Sequence, residues 1–401
     1  MRVTHLTASG QMGGAESVVL DCIASSNGTA GSQSVVALGC GPFLAAAQEL
    51  GARTTVVELP AAVRAIGESF ASSPAVLRTL VGPLWTFPEF FRRYSRTVES
   101  FAPEMIHSHG IKTHVLAAMM PRRAPVVWHL HDYVGTRSVS SRLLPLLARR
   151  CALAIAVSDS VARDAREQLP GSLPVAMVHN AVDCDRYSPD GSTLDLDACC
   201  GLPPAPDGTV RIGLPATFAR WKGHDVFLEA VALLDRDDFR AYVIGGPMYE
   251  TGQSQWSREN LLSMVASRGL QSRIGFTGFL PDMPAAYRAL DVVVHASTRP
   301  EPFGLVIAEA MACARAVVAA PTGGAAELFI DGQHALAAES GNATSLAAAL
   351  RRLIDDRAFR AELGGRARAH VLSSFNRERF AQSLQAALGQ INATNASSSR
   401  S

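Results

Sequence analysis

Two hydrophobic periods take turns along this chain. Residues 3–7 form a short β-rich run that ends in a glycine-rich loop at 8–14. Residues 15–24 then repeat with a helical period, placing Val18, Val19, Cys22 and Ile23 on one face. Further strands are predicted at 34–38, 54–58, 105–107, 126–129 and 154–158. Strands separated by helical stretches predict βαβ units and a parallel sheet. Between 183 and 208 Asp, Pro and Gly crowd together with little periodicity, which reads as a linker or boundary.

The alternation then restarts. It predicts strands at 210–214, 241–244, 274–277, 292–295 and 316–319, with helices at 224–234, 258–267 and 305–313. The pattern makes two α/β domains of similar size, the first over 1–187 and the second over 188–375. A helix over about 377–388 falls in a segment, 376–391, expected to return to the first domain. The tail 392–401, rich in Asn, Ala, Thr and Ser, is expected to be disordered. In open parallel sheets ligands bind at the carboxyl ends of strands, so the functional residues should lie in the loops just after strands.

Composition narrows the class. The apolar share, 48% of 401 residues, is ample for large cores. Lys and Arg exceed Asp and Glu by one (37 − 36), leaving no basic footprint for nucleic acid. No apolar run approaches the roughly 18 residues that span a bilayer. The start (Arg2, Val3, Thr4, His5) lacks the charged leader and apolar stretch of a signal peptide. Seven cysteines are scattered without CxxC spacing, which argues against disulfides or structural zinc and suits the cytosol. The Asn-x-Ser/Thr triplets at Asn27, Asn342, Asn392 and Asn395 then read as chance.

Four segments carry chemistry. The loop Ser9-Gly10-Gln11-Met12-Gly13-Gly14-Ala15-Glu16 runs into a helix, whose first N–H groups favour an anion. It is neither a Walker A loop nor GxGxxG, and its glycines serve equally well for a tight turn. His107, His109, His114, His129 and His131 form a group in which His-x-His on a strand shares one face. No carboxylate or cysteine at a useful spacing completes a metal set among the first three, so no metal is expected. His131-Asp132 follows a strand, the place for a ligand contact or for a hydrogen-bonded loop histidine. Arg220 and Lys222, after strand 210–214 and before a helix, suit a phosphate-bearing ligand or an ordinary surface.

The fourth segment weighs most. Glu301 stands just outside a helix, and Phe303, Gly304 and Leu305 supply first-turn N–H groups for an anion. Glu309, separated from Glu301 by seven residues, falls inside an otherwise apolar helix, where a carboxylate needs a partner and sugar hydroxyls are good donors. A further glycine turn, Gly323-Gly324, opens the next helix.

The ordered set GGAE (13–16), HD (131–132), NAVD (180–183), WKG (221–223), TGF (277–279), EPFGLVIAEAMA (301–312) and GGAAE (323–327) resembles glycosyltransferase family 4 from about residue 3 to 375. The resemblance implies an α/β GT-B fold, two Rossmann-like domains facing across a cleft, the first binding acceptor and the second the nucleotide-sugar donor. It implies a retaining transferase that needs no resident cofactor or metal. Gly14 would offer its N–H near the donor diphosphate, and Lys222 would neutralise it, helped by Phe303, Gly304 and Leu305. Glu301 would bind sugar hydroxyls, Glu309 the ribose, Gly278 and Phe279 the base, and His131 would sit against the donor sugar. Gly13, Glu16 and His109 fall on the acceptor side. The motif before the lysine usually carries an Arg where this chain has Thr217, so Arg220 becomes the substitute second cation.

The resulting expectation is a hexosyltransferase using a UDP- or GDP-sugar and a glycan, lipid-linked or small-molecule acceptor in polysaccharide or glycoconjugate synthesis. The alternatives are a sugar phosphorylase, a nucleotide-sugar epimerase, or a sugar-nucleotide-binding protein without catalysis. Residues 74–96 and 137–150 mix arginines with aromatic and leucine side chains. They read either as core helices or as peripheral contacts with an anionic membrane at its inner face.

Overall fold

The computed structural model describes residues 1–26, 32–60, 81–136, 140–247 and 254–398, the side chains of 81–85, 140 and 392–398 excepted. The chain divides into two compact units, Met1–Ala181 with Glu378–Ser401, and Val182–Arg377.

In the first unit short, largely buried runs, each with at least one β-branched residue, become strands because both sheet faces are covered and β-branched side chains pack well on a pleat. These are β1 (Val3–Thr7), β2 (Gln33–Ala37), β3 (Arg53–Val56), β4 (Met105–His109), β5 (Val126–Leu130), β6 (Leu153–Ala156) and β7 (Val175–Met177). They pair in parallel in the order β3-β2-β1-β4-β5-β6-β7, so the order reverses between β1 and β4. Helices α1 (Gly14–Ala24), α2 (Phe43–Glu49), α3 (Val81–Ser100), α4 (Ile111–Met119), α5 (Ser140–Leu147) and α6 (Asp159–Gln168) interleave with the strands.

The second unit begins with α7 (Leu196–Cys200), inside the stretch expected to lack periodicity. Its caps explain it: the Asp195 side chain accepts from the Ala198 N–H at 3.0 Å, and Gly201 ends it at φ 66°. Then follow β8 (Val210–Pro215), α8 (His224–Ala232), β9 (Phe239–Ile244), α9 (Arg258–Ser267), β10 (Ile274–Gly278), α10 (Met283–Arg288) and β11 (Val292–His295). The unit closes with α11 (Leu305–Ala312), β12 (Ala316–Ala319), β13 (Leu336–Ala337), α12 (Ala343–Asp355) and α13 (Arg357–Ser374). Its parallel sheet runs β10-β9-β8-β11-β12-β13.

The last helix, α14 (Arg377–Ser398), packs Phe380, Leu384, Ala387 and Ile391 with Val3, Val18, Met105 and Val127 of the first unit. The helical backbone runs past residue 392 to Ser398, where disorder was expected; extending a docked helix fixes one residue per hydrogen bond gained. On α3 Phe90, Tyr94 and Val98 are buried while Arg92, Arg93 and Arg96 are exposed. Residues 74–80 and Arg137 of the arginine-aromatic stretches lie outside the described residues. Among the described residues no helix is long and apolar enough to cross a membrane.

Candidate functional site

In the second unit the neighbouring strands β8 and β11 bring two loops together at their carboxyl ends. After β8 a 3-10 turn, Arg220–Lys222, leads into Gly223 at φ 72°. A Cβ on Gly223 would collide with the Ala296 carbonyl oxygen, so the two loops can approach this closely only with glycine there. The Trp221 carbonyl accepts from the Thr298 N–H at 2.7 Å and ties the turn to the segment after β11.

This packing places Lys222 against Glu301. Lys222 Nζ donates to Glu301 Oε1 at 3.0 Å and Oε2 at 2.8 Å, and lies 4.0 Å from the Trp221 ring centre. His295 Nε2 and Ser297 Oγ each donate to Glu301 Oε2 at 3.0 Å. The Glu301 backbone is pinned to the loop after β12, its carbonyl accepting from Gly324 N–H at 2.7 Å. Burial pushes the Glu301 carboxyl up, but the Lys222 charge and the His295 hydrogen bond outweigh it and hold it well below the usual carboxylate range. The result is a fixed, ionised carboxylate gripping an ammonium that keeps a third N–H for another partner.

Gly304 enters α11 at φ 100°, and the preceding Phe303 is buried. Glu309, half-buried in α11, accepts from the Tyr287 hydroxyl at 2.8 Å, so the fold itself supplies a donor. Arg220 is exposed and its guanidinium sits 3.9 Å over the Trp256 ring centre; Thr217 is half-buried. Gly278 at φ 70° accepts from the Gly245 N–H at 2.9 Å, and Phe279 is 60% exposed. A Cβ on Gly246 would come within 3.0 Å of the Phe279 ring.

In the first unit Gly13 caps α1, Gly14 is its first residue, and Glu16 stands in its first turn with its carboxyl pushed up by burial. His109 ends β4, and His131 follows β5 with its Nε2 3.0 Å from His109 Nδ1. His5, His107, His109 and His129 share one sheet face with Val3, Met105 and Val127, two residues apart along each strand. Ligand atoms of His5, His107 and His109, of Cys22, His107 and His129, and of His109, His129 and His131 come within 4.8 Å of one another. The His107 and His129 rings lie within 10° of parallel, whereas a tetrahedral ion draws lone pairs from divergent directions.

Sequence reasoning brought Lys222 and Glu301 to one ligand without foreseeing that they bond each other. It missed His295 and Ser297, whose signal was their place at the end of β11, and Gly245-Gly246 just after β9.

Two parallel-sheet Rossmann-like units of this build are the architecture of the GT-B fold. Residues 12–186 match the family profile Glycosyltransferase Family 4, and residues 204–370 match Glycosyl transferases group 1. The chain belongs to the family-4 glycosyltransferases. It is 32% identical over 241 residues to the lipopolysaccharide core biosynthesis mannosyltransferase LpcC of Rhizobium leguminosarum bv. viciae, covering 60% of this chain and 65% of that one. It is 30% identical over 223 residues to a D-inositol 3-phosphate glycosyltransferase of Corynebacterium diphtheriae, covering 54% and 50%. The chain thus spans less than two thirds of these curated relatives. The crystal structure of Anabaena HepE in complex with UDP-glucose superposes with a TM-score of 0.79 at 25% identity, covering 99% of this chain and 100% of that one.

Proposed function

We propose that this protein transfers a hexose from a UDP- or GDP-sugar to a glycan, lipid-linked or small-molecule acceptor, with retention at the anomeric carbon. The observation that carries the reading is the Lys222–Glu301 pair, fastened by His295 and Ser297 at the carboxyl ends of β8 and β11. Departure of a nucleoside diphosphate builds negative charge, and a preorganised ammonium stabilises it without reorganising at the moment of reaction. The remaining Lys222 N–H meets the diphosphate, with the first turn of α11 adding backbone donors. Glu301 meets sugar hydroxyls through its acceptor lone pairs, and Glu309 meets the ribose. Phe279, exposed beside Gly246, offers the base a flat apolar face. His131 hydrogen-bonds a hydroxyl of the transferred sugar.

The leaving phosphate takes the acceptor proton, so no glycosidase-like pair of carboxyls is required. The Lys222 ammonium takes the place of a divalent ion, and the reaction proceeds without metal. The setting is cytoplasmic polysaccharide or glycoconjugate synthesis, with the exposed arginines of α3 resting against anionic lipid. Flotation with anionic vesicles at low salt tests that contact, and protein left wholly in the soluble fraction refutes it.

A donor panel assayed in EDTA tests the main reading. Nucleotide release that needs both a donor and an acceptor is the expected result. Loss of turnover restored by a divalent metal would remove the metal-free step, and epimerised donor without transfer would remove the reaction class.

A further inference from the structure

We propose that Gln33 on β2 fixes the direction of every proton in a chain of histidines, and so presents His131 to its ligand with Nδ1 as a lone pair. The chain crosses three adjacent strands. Gln33 Oε1 lies 2.9 Å from His5 Nε2, His5 Nδ1 lies 3.2 Å from His109 Nε2, and His109 Nδ1 lies 3.0 Å from His131 Nε2. Sheet register sets these contacts. Gln33 pairs with Val3, two residues from His5 on the same face, and Thr7 pairs with His109.

The rings are neutral. Burial pushes His5 down to about 4 and His131 to about 3, and, together with the neighbouring imidazoles, takes His109 well below the ordinary value. A neutral imidazole carries one N–H and one lone pair. An amide oxygen can only accept, so His5 carries its proton on Nε2 and leaves Nδ1 bare. His109 must then carry its proton on Nε2, and its bare Nδ1 obliges His131 to do the same. Any single reversal sets two N–H groups or two lone pairs face to face inside the protein, at the cost of an unmade buried hydrogen bond.

His131 therefore arrives at its ligand as an acceptor, able to take a hydrogen bond from a hydroxyl but not to donate one through Nδ1. The consequence for catalysis rests on the proposed contact between His131 and the transferred sugar; the proton order does not. Gln33, which touches no ligand in this scheme, is a positioning residue acting through two histidines.

Long-range 1H–15N correlation spectra of the full chain, labelled at histidine and assigned with single His→Gln variants, read each tautomer at pH 7.5. The expected pattern is Nε2–H at His5, His109 and His131. Gln33→Leu should let His131 populate both tautomers, while Gln33→Glu, which keeps an acceptor oxygen, should preserve the pattern. Nδ1–H at His131 in the unaltered protein, the pattern an amide turned to donate would impose, overturns the proposal whether or not the variants fold. So does a His131 tautomer indifferent to Gln33→Leu. In turnover assays Gln33→Leu should raise KM for the donor about twofold, the share of molecules holding His131 in the wrong tautomer, with kcat nearly unchanged, and Gln33→Glu should restore it. Scrambled tautomers with unaltered KM would uphold the proton order and refute the sugar contact.

Discussion

Acidification from pH 7.5 to 5.5 should unfold the first unit well before the second. His5, His107, His109, His114 and His129 are all buried, and burial lowers the pKa of each, with neighbouring imidazoles adding to the shift at four of them. Their folded values lie below the value of about 6.5 that they regain on unfolding. The unfolded chain therefore binds protons first as the pH falls. The stability held by these neutral rings is fully present above pH 6.5 and drains away below it. Each ring costs RT ln(1 + 10^(6.5 − pH)), about 1.4 kcal/mol at pH 5.5 and under about 0.1 kcal/mol at pH 7.5. Five rings together remove about 7 kcal/mol, against a total of about 5–15 kcal/mol for an ordinary domain. In the second unit His224, pushed down to about 4, costs about 1.4 kcal/mol by the same arithmetic, and His334 and His370, which burial also lowers but which are more exposed, add to it in the same direction. Amide exchange read by mass spectrometry, corrected for intrinsic rates, separates the units. Peptides covering β1, β4 and β5 should lose protection between pH 6.5 and 5.5, ahead of those covering β8 and β11. Equal protection of β4 and β5 at pH 7.5 and 5.0 would show that the rings titrate in place and refute the linkage.

Lys222→Ala should lower kcat about 100-fold or more, in line with losing one preorganised charge-stabilising group, with a smaller effect on donor binding; wild-type turnover would remove the diphosphate from this position. Arg220→Ala should cost at least tenfold in turnover if it acts as the second cation in place of the family arginine, and a neutral result would confine Arg220 to its stacking on Trp256. Gly223→Ala should destabilise by about 2 kcal/mol or more, because a left-handed φ of 72° and the Ala296 carbonyl both oppose a side chain; an unshifted melting temperature would contradict the close approach of the two loops.

Strands buried on both faces were the most legible elements. Val292–His295 and Ala316–Ala319 read directly as valine runs between turns. β7 and β13 have three and two residues, too few for any period to emerge. The spacing of Glu301 and Glu309 was legible because a helix start and an apolar face frame it. The partners of these carboxylates were not. Tyr287 reaches Glu309 and His295 reaches Glu301 through the packing of α10 and β11, which no local pattern encodes. Gln33 is the extreme case, an ordinary polar residue in a strand whose importance appears only once register sets it beside His5.

The course of α14 bears on how this protein is made. The first unit is closed by Phe380, Leu384, Ala387 and Ile391, which leave the ribosome only after the whole of Val182–Arg377 has been synthesised. Until then the sheet face carrying Val3, Met105 and Val127 lacks part of its cover, so the first half of the chain cannot finish folding while the second half can. The order of completion therefore runs against the order of synthesis. A fragment cut after Ala181 would carry an open apolar face prone to aggregation, and supplying the α14 peptide in trans is the means to rescue it.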